Sequence, residues 1–165
     1  MKFWLTLIAI AAFAQELPLL KRMPDPPPQP LPFSHKRHVT INGLKCAECH
    51  PMPDNGELAT IAKTAKCMTC HASVKTDSEW IRKLAKFHAD SGEVPWRQVY
   101  RIPNWVSFSH KQHVEKAGAG CESCHGKVGE KEVLQKERDL SMAACMDCHR
   151  VKKASLGCNF CHDPR

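Results

Sequence analysis

The sequence predicts a mostly irregular fold with a few short α-helices and little or no β-sheet, held together by something other than an apolar core. Three observations lead there. Among 165 residues only six are Phe and one is Tyr, against twelve Pro, ten Cys and ten His. No stretch alternates apolar and polar residues for long enough to suggest a strand. Every Cys falls in a C-x-x-C pair. A small chain with few large apolar residues needs disulfides, metals or bound cofactors to stay folded.

The elements follow in order. Met1-Lys2 is a short positive start, Phe3 to Ala14 is uncharged and apolar, and Ala12-Phe13-Ala14 precedes Gln15 as an A-x-A cleavage site. Residues 1–14 therefore read as a signal peptide cleaved near Ala14-Gln15, too short to span a bilayer comfortably. The expected compartment is periplasmic. Residues 15–32 form a Pro-rich extended linker, with seven prolines in "PLLKRMPDPPPQPLP". The body begins at Phe33. Residues 76–90, "TDSEWIRKLAKFHAD", predict the clearest helix: Trp80, Leu84 and Phe87 share a face, with Ile81 and His88 beside it. Thr76, Asp77 or Ser78 can cap its start, and "SGEVPW" breaks it. Residues 129–143 predict a second, more polar helix. The expected units are 33–93 and 94–165, joined as one continuous domain.

The division rests on a repeated word. "FSHKRHV" stands at 33–39 and "FSHKQHV" at 108–114. In each copy two histidines lie three apart, and a Cys follows the second His by eight residues, at Cys46 and at Cys121.

The cysteine pairs carry the chemistry. Each is followed at once by His, at Cys46/Cys49-His50, Cys67/Cys70-His71, Cys121/Cys124-His125, Cys145/Cys148-His149 and Cys158/Cys161-His162. C-x-x-C-H is the attachment motif of c-type haem. Two thiols three residues apart can add to the two vinyl groups of one porphyrin, and the adjacent imidazole then ligates its iron. Disulfides, or zinc held by four thiolates, would also use C-x-x-C pairs in an exported chain. Neither requires a His after every second Cys. With His at about six per cent of residues, five matches in five by chance are of order one in a million. The sequence thus predicts five covalent haems c, packed closely enough to serve as the core, with ten Cys as attachment points and five His as proximal ligands.

Five histidines remain: His35, His38, His88, His110 and His113. Their number matches the five second axial positions, and four of them belong to the repeated word. They are the expected distal ligands, His88 being the one that stands alone.

Phe-x-His-x-x-His ahead of clustered C-x-x-C-H motifs resembles the class III cytochromes c, small proteins with bis-His haems. The resemblance covers residues 33–162 and implies that the first His of each word serves the haem attached next while the second serves another nearby. His35 would then pair with His50 and His110 with His125, while His38 and His113 would serve the haems at His71 and His149. His88 is left for the haem at His162. The chain departs from that family in its haem number, a dihaem unit followed by a trihaem unit. A narrower resemblance covers about 94–150, "VPWRQVYRIPNWVSFSHKQHVEKAGAGCESCHGKV" and "LSMAACMDCHR". It is similar to multihaem cytochrome c subunits of quinol-oxidising and molybdenum-type membrane redox complexes. That likeness implies redox protein partners of this kind.

Two axial imidazoles leave an iron no open position, so the ligand count predicts electron transfer and no enzymatic activity. The competing reading is a multihaem reductase with one open haem. Pentahaem nitrite reductases typically carry a C-x-x-C-K site, and no such motif occurs here. The formal charge of +7 does not point to nucleic acid: an exported chain rarely meets it, and no Lys/Arg run exceeds two residues. Without residues 1–14 the balance is 23 basic against 17 acidic residues, and ten propionates would offset much of it. Lys36, Lys66, Lys111 and Lys127 remain available to steer a redox partner.

Overall fold

The computed structural model describes residues 23–52 and 58–162. The expected signal peptide lies outside these residues, as do residues 15–22 of the expected linker. Among the described residues six α-helices occur: α1 (Cys46–Cys49), α2 (Thr64–His71), α3 (Glu79–Asp90), α4 (Cys121–His125), α5 (Met142–Lys152) and α6 (Cys158–Cys161). Two six-residue π-type turns, Lys36–Ile41 and Lys111–Lys116, and a 3₁₀ turn, Val128–Glu130, complete the regular structure. The described residues contain no strand. The fold is thus short helices in irregular chain, as composition predicts.

The apolar core is nearly absent. Leu31 and Leu84 are the buried hydrophobic residues among those described, and Thr64 is the buried polar one. Trp105, Phe160 and Val151 are more than two-thirds exposed. Burial of apolar area is the usual dominant stabilising term, so this chain is built to close around something else.

The one conventional packing unit is α2 against α3. α3 begins three residues later than the sequence suggests, with Ser78 at its N-cap. Leu84 points inward at 6 % exposure, while Trp80 lies partly open under Lys83, whose Nζ sits 5.7 Å from the ring centre. The Pro-rich segment straps this pair. Gln29 donates to the Arg97 carbonyl at 2.8 Å and accepts from the Arg97 amide at 2.9 Å, and Lys83 donates to the Pro30 carbonyl.

The helix expected over 129–143 does not form. After the 3₁₀ turn the chain runs irregularly to Ser141, which caps α5 by accepting from the Ala144 amide. Tertiary bonds take the backbone groups instead. The Glu137 amide donates to the Tyr100 hydroxyl, which itself donates to the His125 carbonyl at 2.8 Å. The Glu137 carboxylate accepts from the Lys127 amide and pairs with Lys131. Local propensity loses here to tertiary partners.

The two halves touch. The Lys36 amide donates to the Lys131 carbonyl at 2.9 Å, and the Thr40 hydroxyl donates to the Gly129 carbonyl.

Candidate haem-binding site

Every C-x-x-C-H motif forms a turn of helix. In α1 the His50 amide donates to the Cys46 carbonyl at 2.8 Å, and in α6 the His162 amide does the same to Cys158. A helical turn places residues i, i+3 and i+4 on one face. Two thiols and one imidazole therefore present together, the arrangement that one porphyrin needs. The cysteines are exposed or half-buried thiols, with no disulfide among them.

The repeated word builds a rigid device. Each copy caps and begins a π-type turn, at His35 and at His110. π-turns are rare and concentrate at functional sites. Phe33 stacks on His38 with ring centres 4.4 Å apart and meets His35 edge-on at 4.9 Å. Phe108 repeats this with His113 at 4.5 Å and His110 at 4.8 Å. The Ser34 carbonyl accepts from His38 Nδ1 at 2.8 Å, and the Ser109 carbonyl accepts from His113 Nδ1 at 2.8 Å.

That bond fixes a tautomer. A carbonyl only accepts, so Nδ1 carries the proton and Nε2 keeps a lone pair, as a metal-ligating histidine requires. The same holds for His50 on Thr60, His71 on Val74, His149 on Ser155 and His162 on Trp105, all through backbone carbonyls. His110 differs: its Nδ1 lies 3.2 Å from the Ala59 amide, a donor.

The distances between rings are the central observation. His35 and His50 have centres 6.4 Å apart, His38 and His71 6.2 Å, His110 and His125 6.3 Å, and His113 and His149 6.0 Å. An imidazole nitrogen binds a first-row metal at about 2 Å, with the ring centre about 1.1 Å behind it, so two rings on opposite sides of one metal stand about 6.3 Å apart. Rings in face contact sit closer, as Phe33 and His38 do. Each of the four pairs joins a histidine of the repeated word to the histidine of a C-x-x-C-H motif. The donor set and its spacing fit haem c with two axial imidazoles.

Electrostatics agree with neutral ligands. Burial, then His50 and His38 nearby, push His35 down to about 4, and its Nδ1 is buried without a partner. Burial and then His110 and His50 also lower His125. The cysteines report which motifs are neighbours. Burial raises Cys67, with the Cys49 thiol adding to it. Burial raises Cys121, and the Cys46 thiol is close enough to share a hydrogen bond with it. Burial raises Cys124 and Cys145 as well, with Cys148 beside the first and Cys124 and Cys161 beside the second. The motifs thus have neighbours across the chain: Cys67 near Cys49, Cys121 near Cys46, and Cys145 near both Cys124 and Cys161.

His88 and His162 are not brought together. His88, on α3, hydrogen-bonds Thr64 at the start of α2, whereas His162 is held at the Trp105 carbonyl. The stacking Phe rings were legible in the repeated word as letters, not as a role. The orienting backbone carbonyls leave no trace in sequence.

Comparison with known proteins adds to this geometry. Residues 20–95 match the class III cytochrome C family, and residues 106–163 match cytochrome c7 and related cytochrome c. The chain is 37 % identical over 135 residues to the multiheme cytochrome c subunit of a menaquinone reductase from Nitratidesulfovibrio vulgaris, a match covering 81 % of this chain. The chain spans about half the length of that relative, 51 %.

Proposed function

This chain is an electron-transferring multihaem cytochrome c, class III in its first half and related to cytochrome c7 in its second, and on that premise we propose that it holds five covalently attached haems and conducts electrons along them in the periplasm. Haem c, when bound, supplies an iron that gains or loses one electron. The four imidazole pairs at 6.0–6.4 Å carry the reading.

The chain's own groups have separable duties. The ten cysteines tether the porphyrins. His50, His71, His125, His149 and His162 are proximal ligands, and His35, His38, His110 and His113 are distal ones. Carbonyls of residues 34, 60, 74, 109 and 155 orient rings through Nδ1. The Ala59 amide at His110 Nδ1 opposes ligation through Nε2, so haem attachment has to move that amide or turn it away.

Two units, 33–93 and 94–165, contribute two and three motifs. Cys46 near Cys121 supports contact between the two units, so electrons can pass from one to the other. Neighbouring redox sites, four of them with both axial imidazoles in place, suit a short wire and support electron transfer. Among the described residues no helix is long and apolar enough to cross a membrane. The relative is named a subunit of a menaquinone reductase. We take the partner here to be a membrane redox complex of the quinol-oxidising or molybdenum type.

The test is export from a host with cytochrome c maturation machinery. Haem per chain comes from the pyridine haemochrome and the intact mass, and metal content from elemental analysis. Five haems per chain support the reading. A chain that carries zinc or disulfides and no haem overturns it.

A further inference from the structure

We propose that the iron at His162 draws no histidine from its own chain and takes its sixth ligand from outside: it is the exchangeable site of the molecule. This rests on the five-haem reading above.

All ten histidines lie among the described residues. Five belong to the motifs and four are the paired distal rings, which leaves His88. Its place is fixed from two sides. Thr64 is 1 % exposed, and its hydroxyl gives its single proton to the Gly92 carbonyl at 2.7 Å. The hydroxyl oxygen must therefore accept from His88 Nδ1, 2.9 Å away. The Thr64 amide also donates to Gly92, at 3.1 Å, so the ends of α2 and α3 are tied together. His88 is thereby bound to the helix pair that carries Cys67 and Cys70.

His162 is bound elsewhere. Its Nδ1 is 3.4 Å from the Trp105 carbonyl, and the Ser107 amide donates to the Cys161 carbonyl at 2.8 Å. The Cys158/Cys161 motif adjoins Cys145. Among the described residues no ring contact joins His88 to His162. The repeated word cannot supply the ligand either, since its four histidines already face His50, His71, His125 and His149. An iron with one protein imidazole binds a neutral donor, such as carbon monoxide when ferrous or imidazole when ferric. An imidazole can also come from another chain, and the exposed His88 of a second copy offers one.

The test uses the exported holoprotein with its haems counted first. Carbon monoxide is added to the reduced protein, and imidazole to the oxidised protein, over a dilution series. The expected result is that one haem in five responds. A response that grows on dilution assigns the native ligand to another chain's imidazole, and a response independent of dilution assigns it to a small ligand; both support the proposal. His88→Gln, which can keep the bond to Thr64, is expected to leave that fraction at one in five in dilute solution. His113→Met is a positive control for a changed axial position. Five haems that all ignore both ligands at every dilution overturn the proposal and leave the five-haem reading intact. So does a response that appears only in His88→Gln. A His162 motif without haem, seen by peptide mass mapping, overturns both.

Discussion

His35 is the ring that this fold most resists charging. Its ordinary value of 6.5 falls to about 4, chiefly by burial and then by the neighbouring His50 and His38. The folded chain therefore keeps it neutral down to about pH 4, while the unfolded chain protonates it below about 6.5. This group leaves stability unchanged above pH 6.5 and removes it progressively as pH falls from 6.5 toward 4. Because iron also needs the neutral ring, a spectroscopic acid titration is expected to show the His35 pairing intact at pH 5. Loss beginning near 6.5 would contradict the burial argument. Gly126, directly after His125, makes a second point at this scale. Its φ is +73°, and a Cβ there would collide with the Glu137 side chain that holds the Lys127 amide. Gly126→Val is expected to cost about 1–3 kcal/mol, the usual range for a side chain forced into such backbone. Thermal melting of the holoprotein checks it. A shift no larger than that of a surface substitution would show that the loop yields.

The repeated word and the α2–α3 pair show what an element adds to its residues. In each word one Phe touches both histidines, so under the proposed ligation two irons would depend on one wedge. Phe108→Ala is expected to loosen the axial positions at His125 and His149 together while haem content stays at five. Electron paramagnetic resonance would register this as broadened or additional signals from two haems. A change confined to one haem would mean that Phe108 serves one ring alone. The α2–α3 pair relies on Leu84, and Leu84→Ala is expected to cost about 2 kcal/mol, the low end for leucine truncation because so little else packs there, measured by thermal denaturation. These elements differ in how far the sequence reveals them. The helix at Glu79–Asp90 was legible because its apolar spacing is its own. The helix expected over 129–143 failed because Tyr100, 37 positions before Glu137 in the chain, claims its amide. A window of fifteen residues carries no sign of such a bond. The π-type geometry of the words was likewise invisible, as was the Ser carbonyl that accepts from a ring four residues later.

At the scale of the molecule, the legible part is the covalent part. C-x-x-C-H is recognised by spacing alone, and the four ring pairs join the histidines that the class III likeness pairs. Which motifs are neighbours in space was not legible, because nothing local says that Cys46 lies beside Cys121 or Cys49 beside Cys67. With two buried apolar side chains among the described residues, the polypeptide has little to gain by folding alone, so haem attachment and folding are expected to be one event. This packing also sets the redox behaviour. Neutral imidazole favours the ferric state more than a Met thioether does, and neighbouring sites repel each other's electrons. A potentiometric titration is expected to place most of the haems below zero against hydrogen, spread over a range wider than one independent site would give. His38→Met and His113→Met are each expected to move one component upward, leaving the others within a smaller, electrostatic shift, because axial identity is a strong lever on potential. A titration centred well above zero would contradict imidazole ligation throughout. A sharp single wave would contradict close packing, since closely packed sites cannot fill without sensing one another.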